Sequence, residues 1–313
     1  MPNCFMTFAR RQLALAALLA ALPGFALAEG DKVANEVQAA FDAAKQVMQR
    51  GPAEIAFLDQ AMLKLPEGLL WVPKPEAARM LRAMGNRPGD DLLGLALQES
   101  DDSHGFVVVR YVKSGFVKDD DAKKWDAAEL LDNLRSGTEE VNAERRKRGI
   151  REVEVVGWIE PPAYNAATQR LIWSLSSKEK GAPAEEEGGV NYNTYALGRE
   201  GYVSMNLVTG MNSIQTEKSF AHRMLAALEY KDGKRYGDFN AGTDHIAEYG
   251  LAALIGGVAA KKLGLIAVAL AFLAKFAKIF LVAGIALLGI LVKIFRSKKA
   301  QQAAESTATP PQP

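Results

Sequence analysis

Between Leu263 and Val292 the chain runs thirty positions with only two charged side chains, Lys275 and Lys278. A water-soluble domain has no use for such a run, so the stretch belongs in a bilayer. A spanning helix takes roughly 20 apolar residues across a hydrocarbon core of about 30 Å. The lysines leave apolar pieces of twelve and fourteen residues, and neither spans alone. Two arrangements stay open. A helix over about 276–295 would carry the lysines at its first turn, snorkelling to the headgroups. One longer helix would hold both at mid-depth, three apart and on one face, aimed at a partner or a wet cavity. Arg296, Lys298 and Lys299 follow at once and place that end in the cytoplasm. The small apolar segment 250–260, with Gly256 and Ala260 four apart, could lie in the interface, pack on the span or cross a second time.

The N-terminus carries the marks of a secretory leader. Arg10 and Arg11 precede the apolar 13–22, and Ala26-Leu27-Ala28 supplies small residues for cleavage. The expected plan is a signal peptide over 1–28, an exported domain over 29–250, a membrane-associated and transmembrane segment over 251–296, and a disordered cytoplasmic tail over 297–313. The single cysteine, Cys4, lies ahead of the leader's apolar core, so the exported domain has neither disulfide nor thiol chemistry. The overall charge of +1 hides an asymmetry. Residues 29–250 hold 28 basic and 36 acidic groups, a net of −8. An acidic exported domain is a poor match for nucleic acid.

Within the domain, apolar positions at helical spacing predict a helix over 33–50, stopped by Gly51-Pro52. Short strands follow at 55–58, 62–65 and 69–72, with Pro66-Glu67-Gly68 read as the hairpin turn between the last two. A short helix over 75–84 precedes a strand pair over 92–97 and 106–112. Asp119-Asp120-Asp121 then heads a helix over 122–135. Ser136 to Glu139 reads as a capping box opening another, which ends in the basic run Arg145 to Arg148 with Gly149 as C-cap. Strands over 153–159, 170–175, 190–197 and 202–208 read as a meander. An amphipathic helix over 212–230 follows. Helices flanking one antiparallel sheet make an α+β domain, with a C-terminal transmembrane helix behind it.

Candidate chemistry is sparse. The acidic run at 119–121 lacks the alternating ligands and the glycine of a calcium loop, and both charge runs match the dipole of a helix. His104, His222 and His245 are not at zinc-ligand spacing. Asp244-His245 beside Asp238 is the nearest approach to a base with its orienting acid; the competing reading puts Asp244 near a helix cap and Asp238 in a turn. Ser177-x-x-Lys180 has the spacing of a serine–lysine acylase without its companion motifs. Trp71, Trp125, Trp158 and Trp173 read as core, with Trp158 and Trp173 packed together across neighbouring strands. No catalytic, cofactor or metal residue is assigned.

Six ordered segments resemble a known family. They are Gly115 to Ala122, Gly157-Trp158 with Pro162-Ala163-Tyr164, Leu171-Ile172-Trp173, Asn191-Tyr192 through Arg199, Tyr236 to Phe239, and Asp244 through Gly250. The chain resembles the DUF2167 family, bacterial membrane-anchored proteins of unknown function. The resemblance covers most of the exported domain and its hydrophobic C-terminus. One departure is Asn165, where the family often carries Asp, which weakens the idea of a catalytic carboxylate there.

The expectation is therefore a non-enzymatic protein of the bacterial inner membrane. Its periplasmic domain would serve as a binding or accessory module for another membrane protein, and its C-terminal helix would engage the lipid bilayer. The alternative is an anchored periplasmic hydrolase using Asp238, Asp244 and His245. A third reading is a transport accessory in which Lys275 and Lys278 face a channel or pump.

Overall fold

The structure, a computed structural model, describes residues 26–256 apart from 101, 102, 104, 148, 184 and 187, with side chains from residue 35 onward. The apolar part of the expected leader (13–22), His104, the apolar stretch and the expected tail lie outside the described residues.

The chain is an α+β domain in which a large antiparallel sheet is covered on both faces. Helix α1 (Ala26–Lys45) leads into β1 (Gln49–Arg50), β2 (Ala53–Phe57), β3 (Ala61–Leu65) and β4 (Leu69–Pro73). Then come α2 (Lys74–Ala83), β5 (Leu92–Gln98), β6 (Phe106–Val112) and α3 (Ala127–Lys147). Strands β7 (Val153–Asn165), β8 (Arg170–Glu179), β9 (Gly189–Leu197) and β10 (Tyr202–Gly210) form the expected meander. Helix α4 (Ile214–Ala226), β11 (Leu228–Tyr230) and the short α5 (Ala253–Gly256) complete the fold. The eight-stranded sheet has the order β1-β4-β5-β6-β10-β9-β8-β7. After β6 the chain crosses to the far edge, and the meander returns until β10 closes on β6, with Val203 opposite Tyr111.

Side-chain alternation explains the two-sided burial. Along β6, Val107, Val109 and Tyr111 enter one core while Val108 enters another. Along β9, Tyr192 and Ala196 share that first core, and Tyr195 and Leu197 a third. The first face is covered by α4 and by a second sheet of order β11-β3-β2. The opposite face is covered by α1 and α2 over β4 to β6. Over β8 to β10 it is covered by α3, α5 and a set of aromatic rings. Fully buried Phe57, Tyr192 and Phe220 fill the first core, each worth about 1.5–3 kcal/mol of removed apolar surface. Glu217 on α4 is buried among them, accepting from the Ser103 hydroxyl at 3.1 Å, the Gly105 amide at 3.0 Å and the Thr209 hydroxyl. It ties the start of β6 and the end of β10 to the helix.

Several expectations are corrected. There are two sheets, not one. Pro66-Glu67-Gly68 does turn, with the Leu69 amide donating to the Pro66 carbonyl, but β3 and β4 belong to different sheets. The hairpin is β2–β3, closed by Leu58 to Gln60, because Ile55, Phe57, Leu63 and Leu65 must share one buried face. The helices expected over 122–135 and from Ser136 onward are one helix, α3. Its start is capped by Asp126, whose Oδ1 accepts the Ala128 and Glu129 amides at 2.7 and 3.0 Å. Gly137 inside it costs about 1 kcal/mol against alanine, and buried Asn142 compensates by exchanging two hydrogen bonds with Val153. The helix expected to reach Tyr230 stops at Ala226, since Leu228 to Tyr230 pair with Leu63 to Ala61 as β11. Helix α1 starts at Ala26 rather than Val33, and Gln49 and Arg50 are strand.

Sheet edges are treated unequally. On β7, Pro161 and Pro162 sit where the register slips repeatedly against β8, and proline cannot donate to a ladder. By contrast β2 keeps an unbroken register with β3 from Ala53↔Leu65 to Phe57↔Ala61 and has no proline.

Candidate functional site

Two places could carry function. The first is at the C-terminal end of the described residues, and segments that carry the family resemblance converge there. Phe116 joins the strand-like stretch around Ile246: its amide donates to the His245 carbonyl at 2.8 Å, and its carbonyl accepts the Ala247 amide at 2.9 Å. The Phe116 ring stacks on Tyr236 at 4.4 Å and on Phe239 at 3.9 Å. The Tyr164 hydroxyl donates to Asp119 at 2.8 Å and the Tyr236 hydroxyl to the Val117 carbonyl at 3.0 Å. Burial pushes both phenols up from their ordinary range, with Asp119 adding to it.

Asp121 reaches further. Its carboxylate accepts the Leu251 amide at 3.1 Å and the Ala252 amide at 3.0 Å, capping the start of α5. Gly250 is required beside it, because a Cβ there would lie 2.4 Å from Asp121 Oδ2. The acidic run thus does not open the helix that follows it in sequence. It opens a four-residue helix 130 positions later, whose Leu254 and Ile255 are buried with Leu251 in the aromatic core.

Asp238, Asp244 and His245 are close in the chain, but among the described residues no hydrogen bond joins them to one another. Asp244 accepts two hydrogen bonds from Arg199, at 2.7 and 2.8 Å, one from the Asn240 amide at 2.7 Å and one from the Thr243 hydroxyl at 3.0 Å. A carboxylate has about four lone-pair sites, so nothing is left for a base or a metal. The Arg199 guanidinium, with the Asn240 amide, holds its carboxyl well below the usual carboxylate range. Asp238 accepts the Arg235 amide at 2.9 Å and closes the turn Tyr236–Asp238. His245 meets Phe116 through its backbone. Lys180 pairs with Glu139 and Glu152, away from any acylase role. His222 shares a hydrogen bond with the Tyr192 hydroxyl at 2.8 Å. Trp158 and Trp173 pack edge to face at 6.0 Å, as their spacing predicts, and Trp158 Nε1 donates to the Ala127 carbonyl. Among the described residues no group of three or more metal-ligating side chains occurs. Among them, too, no helix is long and apolar enough to cross a membrane.

The second place was not found by sequence reasoning. A groove of about 410 Å³ is lined by Glu54 to Leu58, by Trp71, Pro73 and Lys74, by Asp90 to Leu93, and by Gln49 and Tyr111. Four consecutive residues of β2, Glu54 to Phe57, face it, with Leu58 just beyond the strand. Side chains alternate between the faces of a strand, so only the backbone edge of β2 can present all four. Its apolar lining comes from Trp71 and Leu93, and Asp90 and Asp91 line it too. Tyr111, 6% exposed, lies beneath, and its hydroxyl has no hydrogen-bond partner among the described residues. Leu58 stands at the end of the groove, 60% exposed, in the left-handed region at φ 56°.

The model of a family described as proteins of unknown function, DUF2167, matches residues 49–286. No curated protein matches. Among solved structures, cyanobacterial PsbP (CyanoP) from Synechocystis sp. PCC 6803 is similar at 12% identity and a TM-score of 0.35, over 59% of this chain and 92% of that one. The Ran-binding protein Mog1p of Saccharomyces cerevisiae is similar at 12% identity and a TM-score of 0.30, over 56% and 94%. At those values neither likeness bears on function.

Proposed function

The chain belongs to the DUF2167 family of proteins of unknown function, and on that premise we propose that it is a bacterial envelope protein acting as a non-catalytic binding or accessory module for another membrane protein. In this reading 1–28 is a leader, 29–250 a periplasmic domain, and 251–296 holds it at the inner membrane, with 297–313 in the cytoplasm. The observation that carries the proposal is the seating of the chain's exit. Leu251, Leu254 and Ile255 are buried in the domain's own core and Asp121 caps the helix they belong to. The apolar stretch begins at Leu263, only seven positions past Gly256. A module that holds a partner in place profits from a short connection to its anchor, and here only residues 257–262 separate the two in sequence. The family match continues into the apolar stretch, which supports reading that stretch as part of what the family shares. The rival hydrolase is not favoured, because Asp244 is fully engaged by Arg199 and its neighbours.

The test uses the tagged full chain in its own cells. It should stay with membranes through an alkaline carbonate wash, and crosslinking should enrich a single membrane protein. Release by the wash, or recovery of the chain alone, would overturn the proposal.

A further inference from the structure

The groove along β2 deepens that reading, on which it rests, by giving the partner a chemistry. The described sheet edges differ. Edge β7 carries two prolines and repeated slips of register. Edge β1 is two residues long. Edge β11 is three residues long, and the Leu228 carbonyl is taken by Arg170 at 2.8 Å. Only β2 combines five residues, an unbroken register and no proline. An exposed edge of that kind is a template for another strand, and native proteins use it to bind extended peptides.

We propose that the β2 edge accepts one extended strand from a partner protein, with apolar side chains alternating with lysine or arginine. Five residues of strand span about 17 Å. Trp71 and Leu93 offer the apolar wall, and exposed Leu58 adds an anchor at one end. A leucine held at φ 56° with its side chain in solvent is a strained arrangement that places apolar surface beside the edge. The Tyr111 hydroxyl supplies a buried donor to an incoming carbonyl. Charge decides the partner's sign. Glu54, Asp90 and Asp91 line the groove with Lys74 as the lining cation; Lys74 is drawn to the Asp90 carbonyl at 2.6 Å, Arg110 stands 3.8 Å from Asp91, and Lys64 lies across the strands from Glu54. The same acidic lining disfavours a second copy of this chain, which would bring Glu54 towards its own likeness.

The test takes the full chain in detergent and a short synthetic peptide of alternating valine and lysine. Fluorescence anisotropy should give a Kd of about 10–100 µM, within the range of weak peptide docking. Hydrogen exchange should show new protection at residues 54–58. A peptide N-methylated on its bonding edge, and one with glutamate for lysine, should each bind at least about tenfold weaker. Glu54→Lys should narrow the preference for lysine, and Leu58→Asn, a residue at ease in the left-handed region, should weaken binding without unfolding the chain. Equal binding of the lysine and glutamate peptides, protection elsewhere, or no binding at about 1 mM would overturn the proposal. If crosslinking still captures a membrane partner while the peptide fails, the accessory role stands and its contact lies off β2. If the peptide binds and no membrane partner is captured, the edge site stands and the accessory role falls.

Discussion

Arg199 and Asp244 lie 45 positions apart and face one another through two hydrogen bonds, Nε to Oδ2 at 2.7 Å and Nη2 to Oδ1 at 2.8 Å. A planar guanidinium matched to a carboxylate in this way fixes direction as well as distance. It secures the turn after β9 to the loop that feeds the exit helix. Asp244→Asn should therefore lower the melting temperature at pH 7, and Arg199→Lys should do so as well, because a point charge cannot reproduce the fork. The effect has a pH signature. The folded carboxyl titrates below its ordinary 3.8, so its contribution is present above that value and fades as pH falls below about 4. The gap between wild type and Asp244→Asn should shrink over that window in thermal melts. A gap unchanged down to pH 2 would argue against the pairing.

Asp121 and Gly250 make a second local prediction. A methyl group at residue 250 must push the Asp121 carboxylate off the Leu251 and Ala252 amides. Gly250→Ala should cost about 1–3 kcal/mol, the desolvation of those donors. Hydrogen exchange should accelerate first at residues 251–255, while the central strands keep their protection.

Glu217 makes a third. It is a buried carboxylate whose partners come from two strands. Glu217→Ala strands three donors and should cost about 3 kcal/mol, read as a shift of the urea midpoint. Glu217→Gln should recover part of the loss. Equal stability of the alanine variant would place the network outside the cooperative core.

Leu58 should behave in the opposite sense. Its left-handed backbone is tolerated better by asparagine, so Leu58→Asn should stabilise the chain by about 0.5–1 kcal/mol. A rise in melting temperature with a loss of peptide affinity would mark Leu58 as a residue kept for contact. A fall would show that its side chain supports the β2–β3 hairpin.

Much of the fold can be read from patterning. The meander, the β5–β6 pair and the Trp158–Trp173 contact follow from period-two runs and strand adjacency. The errors have physical causes. Pro66-Glu67-Gly68 turns the chain equally well between paired strands and between separate sheets, and only burial of Leu63 and Leu65 against α4 decides it. Leu228 continues the helical spacing of Phe220, Met224 and Leu225, yet β3 offers its backbone a ladder. Gly137 looks like a helix break until Asn142 is seen holding Val153. The exit cluster joins residues some 45 to 130 positions apart, so spacing alone could not assemble it, although the resemblance named most of its parts. The groove left no signature because backbone forms one of its walls.

The shortness of β11 has a consequence for stoichiometry. A sheet with two receptive margins can pass strands from molecule to molecule and grow into a filament. The margin opposite β2 in its own sheet is β11, three residues long with the Leu228 carbonyl taken by Arg170, so a strand received on β2 terminates the chain of contacts instead of extending it. Complexes built through β2 should stop at one guest per molecule, however concentrated the surroundings.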